Sequence, residues 1–273
     1  NRYQDHAIEE DILPAEFSIL AMEPEPWAIS DILTIGRFVS IDINWGRFFT
    51  MLPLREREDW PELWSAFLDT GDAAIPSFDP EAEEGVRLLT DLLVGFSRAG
   101  SNSFMVQGSR TESGGALMAN DPHLGIFAPS TWILAGIKSP GYHSVGMMPP
   151  GLPIVGIGRN ENISWGGTNL QSANSDLVDI SSVPESGITT RTEEIKVRWW
   201  FDETVDVRDT DYGPIISDLD MVKTDEKLSL RWVGHRPSDE LTAWLQASRA
   251  QNWDEFRMAM RDYALTPLNI VYA

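Results

Sequence analysis

Residues 100–124 read GSNSFMVQGSRTESGGALMANDPHL, and residues 150–169 read PGLPIVGIGRNENISWGGTN. These two runs decide the fold, because here the chain's periodicity changes. From Ser101 to about residue 182, apolar side chains fall in short segments: SNSFMVQGS, ALMAND, STWILAGI, HSVGMMP, PIVGIGR, ISWGGTN and DLVDI. Gly, Pro, Asn and Ser clusters separate them. Runs of five to nine residues bounded in this way fit strands and are too short for helices. Turn sequences such as Ser113-Gly114-Gly115 and Asn160-Glu161-Asn162 favour antiparallel pairing. Further strands are predicted at RWWFDE (198–203), LSLRWV (228–233) and the final LNIVYA (268–273). A helix pair is predicted at about 238–249 and 252–263, with Asp254 and Glu255 near the positive end of the second.

Upstream of Ser101 the pattern is helical. Residues 1–26, with Pro14, Pro24 and Pro26, read as a loop-rich lead-in. A helix follows Trp27, with Ser30 or Asp31 as cap and Ile32, Leu33, Ile35 and Phe38 as its apolar face. WPELWSAFLDT (60–70) is a second helix, with Pro61 in its first turn. A loop over 71–82 precedes a third helix at about 83–97, where Val86, Leu89, Leu93 and Phe96 recur at helical spacing.

Composition narrows the function classes. Apolar residues make up 42% of the 273, with 11 Trp, enough for a real core. No run of 18 apolar residues occurs, so no membrane span is expected. The net charge of -21 repels phosphate backbones, so nucleic acid is a poor partner. There is no Cys, which excludes disulfides, thiolate chemistry and Cys-ligated zinc.

Taken alone, Ser101 is a serine at the start of a strand, which is ordinary turn chemistry. Asp121, His123 and His143 offer a metal-hydrolase reading, but no H-E-x-x-H or second ligand cluster accompanies them.

The motifs together say more. GSN at 100–102, GSRTESG at 108–114, NDPHL at 120–124, PGLPIVGIGRN at 150–160 and ISWGGTN at 163–169 resemble, in order and spacing, the start of the catalytic subunit in the penicillin acylase family. That family also includes cephalosporin acylases and acyl-homoserine-lactone acylases, and its members are N-terminal-nucleophile hydrolases. Weaker resemblance extends to LPAEFSIL (13–20), EPW (25–27) and LTPLNIVYA (265–273), so the chain is similar to a middle portion of a longer precursor.

The resemblance implies an α+β fold, the four-layer αββα sandwich with two antiparallel sheets, incomplete in this span. Residues 1–100 would be the C-terminal part of the small subunit with any spacer, and 101–273 the N-terminal part of the large catalytic subunit. The partners are then the two subunits of one precursor and a small N-acylated substrate. Periplasmic or secreted localisation follows from the same analogy.

The resemblance also implies residue roles. The Gly100–Ser101 bond would be cut by an N-to-O acyl shift, for which Gly100 allows a tight backbone. Cutting frees an α-amino group of ordinary pKa roughly 7.7–8.0, suited to act as base for the Ser101 hydroxyl. His123 would orient that hydroxyl or amine and help hold the oxyanion. The Asn169 backbone N–H would form part of the oxyanion hole, and the second donor, an Asn side chain, would lie further downstream than this chain reaches. Leu124, Trp132 and Ile157 would line the acyl pocket. Asp176, Val178 and Asp179 match two carboxylates and a carbonyl of the calcium site in some relatives, although three oxygens alone are too few for calcium. No other cofactor is expected. Arg159 and Asn160 read as structural and Trp165 as core. The competing reading is an unprocessed, non-catalytic binding protein of the same fold.

Overall fold

Asp31 sets the first long helix. In the computed structural model its carboxylate accepts the Ala28 N–H at 2.7 Å, satisfying a donor that the helix start would otherwise leave open. The structure describes residues 1–40, 54–70, 101–123, 130–170, 174–219, 222 and 224–273. The predicted helix over 83–97 lies outside the described residues.

Among the described residues four helices precede Ser101: α1 (Arg2–Glu9), α2 (Ala15–Ile19), α3 (Ile29–Phe38) and α4 (Trp60–Thr70). The last matches its sequence prediction end to end. The lead-in differs from expectation, since half of it is helical. Asn1 ties it to α3 by donating to the Trp27 carbonyl and accepting the Trp27 N–H. In α3 the buried stripe is narrower than predicted. Ile32 and Ile35 pack on the main core, whereas Leu33 and Phe38 lie on the exposed side.

All twelve strands among the described residues follow from Ser101 onward. β1 (Ser101–Val106) pairs antiparallel with β2 (Leu117–Pro122), with Ser101 opposite Pro122 and Ser103 opposite Asn120. β3 (Ile133–Ser139), β4 (Tyr142–Met148), β5 (Ile157–Arg159), β6 (Ser164–Asn169) and β12 (Leu268–Tyr272) form a five-stranded antiparallel sheet in the order β12-β6-β5-β4-β3. β7 (Ser175–Asp179) pairs with β11 (Leu228–Trp232). β8 (Thr189–Ile195), β9 (Glu203–Thr210) and β10 (Gly213–Pro214) make a small outlying sheet. The predicted strand RWWFDE is instead the turn between β8 and β9. Trp199 there has φ +59, and Trp199, Trp200 and Phe201 are exposed.

The predicted helix pair is α5 (Glu240–Ala247) and α6 (Trp253–Ala259), capped by Asp239 and Asn252. It packs on one face of the five-stranded sheet, where Trp165, Val155 and Ile163 meet Trp244, Ala247, Phe256 and Ala259 in the main core. The β1–β2 hairpin packs on the other face, at Gly166 of β6. The layering is therefore helix, sheet, sheet, which makes the fold an α+β sandwich of antiparallel sheets.

Candidate active site

Strand alternation sets which side chains face inward. In β1, Ser101, Ser103 and Met105 are partly buried while Asn102 and Phe104 are exposed. In β2, Met118 and Asn120 are partly buried while Leu117, Ala119 and Asp121 are exposed. The inward set looks onto β6. A methyl group built on Gly166 would lie 2.5 Å from Asn120 Oδ1, 3.0 Å from Ser103 Oγ and 3.2 Å from Met118 Sδ. Only glycine lets the layers approach this closely.

The backbone of β6 carries the next feature. Ser164 and Ala273 exchange both backbone hydrogen bonds, at 2.7 and 3.1 Å. In an antiparallel ladder the next bonded residues toward β12 are Gly166 and Thr168, so the amides of Trp165, Gly167 and Asn169 point toward the β5 side. β5 pairs only with Ser164 and Trp165. Past its end, the Gly167 N–H donates to Asn120 Oδ1 at 2.7 Å. Asn169, two residues on, presents its amide in the same direction.

His123 follows β2 directly. Its Nε2 lies 2.9 Å from Asp121 Oδ2 and 3.3 Å from Asn102 Nδ2. One ring nitrogen cannot donate to a carboxylate and accept from an amide at once. The shorter contact identifies Asp121 as the partner of an Nε2–H, which leaves Nδ1 as the basic nitrogen. Asn102 and Asp121 oppose each other in register on the outward face, so the imidazole is held on the side away from the Ser101 side chain. Among the described residues no hydrogen bond joins His123 to Ser101.

The remaining candidates are placed as follows. Gly100 and Leu124 lie outside the described residues. Trp132 lies over Gly156, its ring atoms 3.4 and 3.5 Å from where a side chain on that residue would begin, and its buried Nε1 has no partner among the described residues. Ile157 is buried, and alternation from Gly158, which opposes Trp165, puts its side chain on the hairpin face of the sheet. Asp176 pairs with Arg231 at 2.8 Å, across β7 and β11. Asp179 accepts the Ser181 N–H, and this bonding to Ser181 holds its carboxyl below the usual range. Asp176 and Asp179 stand three apart on β7, hence on opposite faces. Val178 stands between them on the same strand, and among the described residues no three His, Cys, Asp or Glu side chains are grouped to hold an ion. His143 pairs with Glu161 at 3.0 Å, in the five-stranded sheet rather than beside Asp121 and His123.

Trp165 is fully buried, its Nε1 donating to the Val155 carbonyl, as a core residue should. Asn160 is structural as expected: its amide donates to the carbonyls of Ser248 and Ala250 and accepts from Asn162 and Ile163. Arg159, read as structural, stands exposed at the end of β5. The sequence reading gave no role to Asn102, Asn120 or Gly166, and considered Asp121 only as a metal ligand. All three carried a signal, since Asn and Gly are disfavoured inside strands and Gly there marks close backbone approach. An open depression of about 620 Å³, lined by Val106, Arg110, Thr111 and Leu117, sits at the other end of the hairpin from Ser101.

The motif arrangement agrees with comparisons to known proteins. The family model described as penicillin amidase matches residues 1–273. The acyl-homoserine lactone acylase QuiP of Pseudomonas fluorescens (strain Pf0-1) is 25% identical over 96% of this chain and 36% of its own length. The penicillin G acylase of Escherichia coli is 30% identical over 63% of this chain and 22% of its own. The solved thermostable penicillin G acylase from Alcaligenes faecalis superposes with a TM-score of 0.53 at 24% identity, over 64% of this chain and 33% of that one. The chain thus spans about a third of the length of the curated relatives matched along nearly all of it.

Proposed function

The chain belongs to the penicillin amidase family, and from that premise we propose that it supplies the nucleophile and part of the oxyanion hole of a self-processed acylase. Ser101 Oγ attacks the Gly100 carbonyl, and the Gly100 acyl group moves from nitrogen to oxygen. Water then hydrolyses that ester, releasing the Gly100 carboxylate and a free amino group on Ser101. In turnover this amine takes the hydroxyl proton, through a water molecule, as Oγ attacks the substrate amide. The tetrahedral oxyanion accepts the Asn169 N–H. Collapse expels the protonated amine and leaves an acyl ester on Ser101, which water cleaves to a carboxylic acid.

The observation that carries this reading is the packing of β1, which begins at Ser101, on β6, which ends at Asn169. Two motifs far apart in sequence meet there through Asn120 and Gly166. His123, held by Asp121 on the outward face, would orient the Ser101 hydroxyl or amine only after turning toward it. The substrate is a linear amide with an apolar acyl group, and the family relatives point to N-acyl lactones and β-lactam side chains as the compounds to screen.

The test is Ser101→Ala in the full-length protein, followed by intact mass. We expect one unbroken chain and no turnover, against two chains and activity for the parent. A Ser101→Ala protein that still splits between residues 100 and 101 would sink the proposal. An unbroken, inactive parent would favour a binding protein instead.

A further inference from the structure

Asn120 does something that the proposed chemistry leaves unassigned. It sits in β2, opposite Ser103 of β1, so it belongs to the hairpin that begins at Ser101. Its Oδ1 accepts the Gly167 N–H of the facing sheet at 2.7 Å. Its Nδ2 is buried without a partner among the described residues, as is the neighbouring Ser103 Oγ. The side chain is therefore used through its oxygen alone, as an acceptor for one backbone amide. Gly166 has no side chain at the one point where any side chain would push Asn120 off that bond.

Both proposed reacting groups lie close to this contact along their strands. Ser101 is two residues from Ser103, and Asn169 is two residues from Gly167; at strand spacing each offset is about 7 Å. A single buried hydrogen bond thus joins the element that carries the nucleophile to the element that carries the oxyanion donor. Asn120 thus takes the Gly167 amide, and the Asn169 amide points in the same direction two residues further along β6.

We propose that Asn120, with the space left by Gly166, is a positioning residue that sets the distance between the Ser101 hydroxyl and the Asn169 oxyanion donor. This rests on the reading of Ser101 and Asn169 given above. A displaced donor stabilises the transition state less while the acyl pocket still binds substrate. The loss should therefore fall on kcat and spare KM.

The experiment uses the full-length protein with Asn120→Ala, Asn120→Asp, Gly166→Ala and the double variant Asn120→Ala/Gly166→Ala, beside Ser101→Ala. Activity is read on nitroanilides of phenylacetic acid and of aliphatic acids, using whichever the parent hydrolyses. Variants that fail to self-cleave are remade by co-expressing the segments divided after Gly100. Asn120→Ala should lose about 100-fold in kcat, the size expected for a misplacement near 1 Å. Its KM should stay within about twofold of the parent value, since substrate binding is untouched. Asn120→Asp keeps an acceptor for Gly167, and its second oxygen can accept from Ser103, so it should recover at least tenfold of that loss (an order-of-magnitude expectation for a restored oxyanion geometry). The double variant should be no worse than Asn120→Ala, because removing the amide makes room for the added methyl group.

A parent-like kcat in folded Asn120→Ala, a loss confined to KM, or an Asn120→Asp protein as poor as Asn120→Ala would overturn the proposal. Folding is monitored by circular dichroism; if Asn120→Ala does not fold, the Asn120→Asp and Gly166→Ala pair decides the matter by the same kcat and KM split. Ser101→Ala separates the two ideas: if it retains turnover, the nucleophile reading fails, whereas loss there with a parent-like Asn120→Ala overturns only the positioning role.

Discussion

Asn160 illustrates how one residue can hold two layers together. Its amide nitrogen donates to Ser248 and Ala250, between α5 and α6, and its oxygen accepts two amides of the turn that leads into β6. Replacing it with Ala removes all four bonds and leaves buried groups unsatisfied, which costs about 2–4 kcal/mol. Urea unfolding of Asn160→Ala checks this; a loss under about 0.5 kcal/mol, the size of an ordinary surface change, would contradict it. Asn160 was legible in the sequence because Asn before a turn has few other uses. Arg159 was not, since its neighbours in sequence do not reveal that the strand ends there and releases the side chain to solvent. His123 was legible as a candidate, but its partners were not. The alternation of β1 and β2 puts Asn102 and Asp121 beside it, and that follows only once the register is known.

At the level of elements, the helix pair after residue 238 was readable, whereas its caps and the aromatic turn were not. Asp239 accepts the Thr242 N–H at 3.0 Å at the start of α5. This bonding lowers the Asp239 pKa below its ordinary value. A carboxyl with a depressed folded pKa adds stability above its unfolded pKa, and that stability is lost as pH falls through the folded value. Asp239→Ala should therefore cost about 1 kcal/mol near neutral pH. The difference from the parent should vanish in acid, below the normal carboxylate range, and thermal unfolding at several pH values measures it. A difference that grows in acid would contradict the assignment. RWWFDE was read as a strand because Trp and Phe favour strands. In the fold these aromatics are exposed, with no facing layer among the described residues. The chain turns at Trp199 with positive φ, and Arg198 donates to the carbonyls of Leu20 and Ala21.

The whole molecule leaves apolar surface uncovered. Leu134 on edge strand β3, Phe104 and Leu117 on the outer face of the β1–β2 hairpin, and Trp199, Trp200 and Phe201 are all exposed. Edge strands and apolar patches of this kind promote association. Expressed alone, these 273 residues should self-associate despite the net charge of -21. Light scattering after size exclusion should find mainly oligomers, and Leu134→Lys with Trp200→Ser should raise the monomer fraction. A clean monomer from the unmodified span would refute this.

The sequence alone determined the onset of strands at Ser101, the antiparallel character of the strands, the helix at 60–70 and the pair after residue 238. It also determined the family, through motifs whose order leaves little freedom. These are local properties, set by periodicity, turn chemistry and caps. The tertiary structure alone decided that Asn120 reaches Gly167, that Gly166 must be small, that His123 is held by Asp121, and that Asp176 is spent on Arg231. Each of these contacts depends on how strands register and layers stack, which local sequence does not encode. Ser101 begins a strand by its own local chemistry; which side chains and amides face it is set by the layer against which that strand packs.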